Sequence, residues 1–358
     1  MAKKQQRRKG KTATRRPSSR STESAPGRPR PFRILSIDGG GIRGLIPARL
    51  IQHLEDRLER PIAECFDLIA GTSTGGILAC GLTVPGDDGS PRYRASDLAA
   101  LYRDHGLQIF PRPTWRRLPL AGFVADTFDE RYPSNGLEEA LEQYFGDAML
   151  SGTVTPLLVT SYAIERRMPF LFKTTNAVER GGSHDFLLRD VARATSAAPT
   201  YFEPAVLEND SRRHDYYALV DGGVFANNPS MCAVAEARGP NHRQQLDRVE
   251  LVSLGTGQMV RPIPVGEARG WGLAGWVRPV LGVMMDGMAD SVEYQCLQLL
   301  PRAGQRERYV RVDGKLSDVN DDMDDATEKN IRDIDRFVDR LIREKRRELD
   351  AIVAMLTD

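Results

Sequence analysis

The chain is poor in cysteine and histidine, and it contains no long uninterrupted apolar run. Its four cysteines, Cys65, Cys80, Cys232 and Cys296, are isolated, with neither a CxxC pair nor the Cys/His spacing of a metal site. This excludes a disulfide scaffold and a zinc module, and it fits a reduced, cytosolic protein without metal or other cofactor. The most apolar late stretch, Leu273 to Ala289, is interrupted by Arg278, Pro279 and Asp286. It is too broken to span the roughly 30 Å of bilayer hydrocarbon, so no transmembrane helix is expected.

The charge that is present is unevenly placed. A net charge of +1 conceals eleven basic residues between Lys3 and Arg30 that face a single acid, Glu23, so the remainder of the chain is net acidic. The first stretch is rich in Ser, Thr, Pro and Gly and cannot bury enough apolar surface to offset the entropy of ordering. Residues 1–31 are expected to be a disordered basic tail, and residues 32–358 one domain that includes the C-terminal helices. The tail has the positive start of a secretory signal but lacks its apolar core of about 7 to 15 residues, so export by that route is not expected. A solvated tail is the plain reading. Attraction to the anionic inner face of a membrane is the next, at about 1 kcal/mol per basic residue. No aromatic residue interleaves the charges as single-strand binding would require, so no stable nucleic-acid complex is expected.

From Arg33 the pattern changes. Arg33 to Ile37 reads as a strand, Gly39 to Gly44 as a glycine loop, and Ile46, Leu50, Leu54 and Leu58 recur every four residues as on a helix. A second such unit follows: the apolar run Phe66 to Ala70, the turn Gly71 to Gly75, and a helix of small residues from Gly76. Repeated strand–loop–helix units predict a parallel sheet covered by helices, with further strands at Pro156–Tyr162, Pro169–Phe172, Tyr216–Val220 and Val249–Leu254 separated by helical lengths. Between about Leu107 and Tyr132 the prolines Pro111, Pro113 and Pro119, with Pro133 just beyond, break the periodicity while large apolar residues remain, which reads as an irregular cap or a surface loop. Asn330 to Leu356 reads as one charged amphipathic helix.

Gly71-Thr72-Ser73-Thr74-Gly75 is a G-x-S-x-G sequence placed between a predicted strand and a predicted helix. On so sharp a turn a serine hydroxyl projects away from the sheet, and the glycines let strand and helix approach. The alternative is a tight structural turn. Asp38-Gly39-Gly40-Gly41-Ile42-Arg43-Gly44 also leaves a strand and has the spacing of a dinucleotide fingerprint, but that use expects an acid at the end of the next strand, where Ala70-Gly71 stands instead. The same glycines can serve as an oxyanion hole, each backbone donor worth roughly 3 to 4 kcal/mol in the transition state. Arg43 adds charge there or makes a structural ion pair.

A serine needs a base. Of His53, His105, His184, His214 and His242, only His242 follows a plausible acid in the Ser, Asp, His order, and it sits in a polar loop. Asp221 is the better candidate, because the apolar run Tyr216 to Val220 delivers it into the turn Asp221-Gly222-Gly223, and Asn227-Asn228-Pro229 then opens the next helix. A carboxylate held against the hydroxyl and partly desolvated gains the proton affinity a direct base requires.

These three loops, in this order, resemble the patatin-like phospholipase family. The match runs through Asp38–Gly44, Gly71–Gly75 and Asp221–Gly223, with Phe66–Ala70, Ala194–Phe202 and Asn227–Pro229 similar as well, from about Arg33 to Gly257 and more weakly beyond. The resemblance implies a three-layer α/β/α fold with a mostly parallel central sheet, a Ser73–Asp221 dyad without histidine, and an oxyanion hole at Gly39, Gly40, Gly41 and Arg43, framed by Gly44, Gly71, Gly75, Gly222 and Gly223. It implies metal-free hydrolysis of membrane glycerophospholipid acyl esters, of the phospholipase A type, through an acyl-enzyme, by a cytoplasmic protein that meets the membrane peripherally. An acyl chain contributes about 0.8 kcal/mol per buried CH₂, so an apolar channel is expected, with Phe110, Trp115, Phe123, Phe128 and the Trp271–Met288 stretch as candidate lining. Similar compact proteins are phospholipase effectors of anti-phage signalling, so a cyclic-nucleotide activator is a further implied partner, although no nucleotide motif is visible, and an oligomer is allowed. The competing class is a non-catalytic or ligand-restrained binder that kept the fold, against which the intact serine, aspartate and glycine loop stand.

Overall fold

The computed structural model describes residues 30–111, 132–208, 216–300 and 307–357. Most of the basic tail, the greater part of the proline-broken stretch with Trp115, Phe123 and Phe128, and His214 lie outside them. Eight strands form one sheet: β1 (Phe32–Ile37), β2 (Leu68–Thr72), β3 (Leu157–Ala163), β4 (Met168–Lys173), β5 (Ala205–Glu208), β6 (Tyr216–Asp221), β7 (Val249–Leu254) and β8 (Tyr309–Val312). The order is β5-β6-β3-β2-β1-β7-β8, with β4 also paired to β3. Strands β3, β2, β1, β7 and β8 run parallel.

Alternate residues of the strands enter two different cores. Leu35, Ile37, Ile69, Leu157, Val159, Val252, Leu254 and Val310 face one side, where they meet α1 (Leu45–Leu58), α2 (Thr74–Thr83), α3 (Ala95–Ile109), α4 (Asn135–Phe145) and α5 (Leu188–Thr195). Ile34, Leu68, Ala70, Leu158, Val249 and Leu251 face the other, against α6 (Ser230–Arg238) and the end of α7 (Leu273–Leu299). Both faces being covered, the strands read as continuous apolar runs, and the result is a three-layer α/β/α sandwich.

Two expectations change. Only six residues, Ala163 to Met168, separate the runs Pro156–Tyr162 and Pro169–Phe172, too few for a crossover, so β3 and β4 pair antiparallel as a hairpin. Asn330–Leu356 is two helices, α8 (Glu328–Glu344) and α9 (Arg346–Thr357). The charged run from Arg343 to Glu348 has no apolar side chain to hold one straight axis on the core, and after the break at Lys345 the second stripe packs on β8 and α1. Leu273–Leu299 is continuous despite Pro279, yet among the described residues no helix is long and apolar enough to cross a membrane.

The pairing of β3 positions the site. Its residues 158–160 pair with β2 and β4, and its residues 161–163 with β6 and β4. With β4 occupying one edge throughout, β2 and β6 must share the other. They approach from opposite directions and stop at neighbouring positions, Thr72 opposite Thr160 and Asp221 opposite Ser161. Whatever follows Thr72 therefore meets the end of β6.

Candidate active site

Ser73 follows Thr72 and adopts φ 55°, ψ −125°, a conformation costing a non-glycine residue on the order of 1–3 kcal/mol. The surroundings hold it there. Ser73 N–H donates to Thr195 Oγ1 at 2.8 Å, and the Thr195 hydroxyl donates to the Thr160 carbonyl at 2.7 Å. The helix that begins at Thr74 directs its N-terminal N–H groups at the same point, a favourable place for developing negative charge. Gly75 is required by contact, because a Cβ there would lie 2.2 Å from the Ile37 carbonyl oxygen, and Gly71 packs against Gly75 just as closely.

Asp221 arrives from β6. Its N–H donates to the Ala197 carbonyl at 2.9 Å, its Oδ1 accepts the Gly223 N–H at 2.7 Å, and the Ser73 side chain stands near enough to favour its charged form. Gly222 permits this turn, since a Cβ would stand 2.1 Å from Thr160 Oγ1. Burial pushes the Asp221 carboxyl up from 3.8 to about 6, and the Ser73 side chain and the Gly223 N–H temper the rise. A carboxylate so raised is a stronger base than an ordinary aspartate and is still mostly ionised at neutral pH.

Of the glycine loop, Gly39 N–H is already engaged with the Asn227 carbonyl at 3.0 Å, which removes Gly39 from the donor set. Gly40 and Gly41 N–H groups have no partner among the described residues. Gly41 has φ 59° and opens a short 3-10 turn to Gly44, whose bare Cα lets Thr74 and Tyr102 pack against it. Arg43 is buried and turned back on the loop: its N–H and its Nε both reach the Gly40 carbonyl at 3.3 Å. Burial pulls its guanidinium below the ordinary value, and Nη1 has no hydrogen-bond partner among the described residues. Arg43 thus braces the loop. Asp38, at the loop's start, is buried against Arg311 of β8 at 2.7 Å, and burial still pushes it up to about 6.

No histidine enters this arrangement among the described residues. His242 lies tilted against the Phe32 ring, His105 pairs with Gln108 on α3, His184 contacts Ser183, and His53 lies by Arg57 on α1. No group of three or more His, Cys, Asp or Glu suited to a metal occurs among the described residues, and all four cysteines are free. Near the site, α7 brings Met285 against Gly223 and leaves Trp276, Val283 and Met284 exposed. Phe110 packs instead with Tyr132 and Phe202 at the end of α3.

Sequence reasoning gives no role to Thr160 or Thr195, and reads Asn227 only as part of the opening of the next helix. Threonine and asparagine carry no periodic signal, and the run Ala194–Phe202 was noticeable only as part of the family resemblance.

The profile of the family described as patatin-like phospholipase matches residues 35–234. Patatin-like protein 1 of Arabidopsis thaliana is 30% identical over 336 residues, covering 86% of this chain and 81% of its own length. Patatin-like protein 2 of the same plant is 31% identical over 337 residues, covering 87% and 82%. A probable inactive patatin-3-Kuras 1 of Solanum tuberosum is 29% identical over 324 residues, covering 83% of each, so whole-chain likeness extends to a protein named as inactive. With one profile spanning both candidate catalytic residues' loops and relatives alike over most of their length, this chain belongs to the patatin-like phospholipase family of lipid acyl hydrolases.

Proposed function

We propose that this protein hydrolyses acyl esters of membrane glycerophospholipids, with Ser73 as nucleophile and Asp221 as its direct general base. The observation that carries this reading is a serine on a strained elbow at a helix N-terminus, beside a buried carboxylate that is raised to about 6 and whose charged form the Ser73 side chain stabilises. The hydroxyl proton passes to Asp221 as Ser73 Oγ attacks the ester carbonyl. The oxyanion forms against the Gly40 and Gly41 N–H groups, and collapse expels the lysophospholipid alkoxide, which takes the proton from Asp221. Water then attacks the acyl-enzyme, gives its proton to Asp221, and the fatty acid leaves as Ser73 Oγ recovers that proton. A general base of this kind contributes typically about 10² to 10⁴ in rate.

A lipid substrate is supported by α7, whose Met285 touches the aspartate turn while Trp276, Val283 and Met284 stand exposed on the same helix. Such a surface favours approach to a membrane from one side. The test uses the full chain and its Ser73→Ala variant on phosphatidylcholine/phosphatidylglycerol vesicles, following free fatty acid, with fluorophosphonate labelling in parallel. Release and labelling in the wild type that both vanish in the variant are expected. Release by Ser73→Ala at the wild-type rate would overturn the nucleophile, and labelling without release would overturn the phospholipid assignment.

A further inference from the structure

The glycine loop is held from behind by a residue of another strand. Strands β1 and β7 run in register to the pair Ile37 and Leu254, and beyond it Asp38 N–H still donates to the Leu254 carbonyl at 3.0 Å. The two chains therefore leave the sheet side by side, which brings Thr256 to the loop. Thr256 is buried, and its hydroxyl donates to the Gly39 carbonyl at 2.7 Å.

The loop passes between Ser73 and Thr256. A Cβ on Gly39 would stand 3.2 Å from Ser73 Cβ, whereas one on Gly40 would stand 2.4 Å from Thr256 Oγ1. In a trans peptide the carbonyl and the following N–H point in opposite directions. Anchoring the Gly39 carbonyl on Thr256 consequently turns the Gly40 N–H away from Thr256, to the side where Ser73 lies. Consecutive glycines leave this peptide free to rotate, and a flip would place a carbonyl oxygen where the oxyanion must form.

Resting on the hydrolase reading above, we propose that Thr256 is a positioning residue whose hydroxyl presets the Gly40 amide as an oxyanion donor. It touches no reacting atom. Its effect is preorganisation, so it acts on the transition state and leaves ground-state lipid binding alone.

The test compares Thr256→Val, which keeps the shape and loses the donor, with Thr256→Ser, which keeps the donor, both in the full chain. On a chromogenic short-chain ester, Thr256→Val is expected to lower kcat about tenfold or more with KM little changed, and Thr256→Ser to recover most of the rate. An acyl trifluoromethyl ketone, which forms an oxyanion on Ser73, should lose affinity for Thr256→Val by the same factor, while a non-hydrolysable ether lipid binds as before. A merely structural role would instead weaken both ligands together and lower the melting temperature in proportion. Wild-type kcat and ketone affinity in Thr256→Val, or a loss that Thr256→Ser does not repair, would overturn the inference. Ser73→Ala is run alongside: if it is inactive while Thr256→Val is unimpaired, only this inference fails, and if it is fully active the hydrolase reading fails first.

Discussion

Replacing Asp221 by asparagine should abolish activity and strengthen the fold. The Asp221 carboxyl is raised from 3.8 to about 6 by burial, so the folded protein holds this proton more tightly than the unfolded chain does. Its favourable contribution is complete below pH 3.8 and is lost as pH rises through about 6. Above that, the wild type carries a desolvated charge costing up to about 3 kcal/mol, from a shift of about two units at 1.36 kcal/mol each. Asparagine is isosteric and neutral: its Oδ1 can accept the Gly223 N–H as Asp221 does at 2.7 Å, and its amide can donate to Ser73 Oγ. Thermal unfolding of Asp221→Asn at pH 8 is expected to lie roughly 5 °C above the wild type, and the gap should close toward pH 4. Ester hydrolysis should fall on the order of 10³-fold, the scale of a lost general base. An equal or lower melting temperature at pH 8, or a gap that does not change with pH, would refute the assignment of a strained, desolvated base.

The same carboxylate sets the rate profile: kcat/KM should rise with pH through about 6 and then hold level, with no limb that histidine modifiers abolish, as measured on a soluble ester whose own ionisation is silent. Arg311→Met should destabilise the protein by about 3 kcal/mol in urea at pH 8, because Asp38, 2.7 Å from its guanidinium, is then left buried without its cation, while Asp313, at 2.8 Å, keeps only the Gly257 and Gly314 N–H groups. The loss should shrink at pH 5, where Asp38, raised to about 6, takes up a proton.

Much of the fold was legible because its signals are local. The runs around Ile34–Ile37 and Leu68–Ala70, each followed by glycines and then a helix, announce strand–loop–helix units without any knowledge of the partner strands. Strands β5 and β8 were not legible: at four residues each, with Glu208 and Arg311 among them, they offer no run long enough to distinguish from loop. The split at Lys345 was equally hidden, since charged residues favour helix as an isolated segment and only the shape of the core beneath decides where the axis must bend.

The candidate site divides in the same way. Ser73 and Asp221 stood out because each sits in glycine-flanked turns at the end of an apolar run, a property of a few adjacent residues. The sequence by itself offered the residue types of the candidate site: a serine, a carboxylate and a set of glycine amides, with His242 the one histidine that follows a plausible acid. Only tertiary structure decided that they meet, because the meeting depends on β3 receiving β2 along half of one edge and β6, from the opposite direction, along the remainder. It also decided which amides are free. Gly39 and Gly40 are identical in composition and neighbours in sequence, but Asn227 takes the N–H of Gly39, Thr256 takes its carbonyl, and the N–H of Gly40 is left open among the described residues. Hydrogen-bond partners drawn from distant strands carry that distinction, and no local pattern of the chain can encode it.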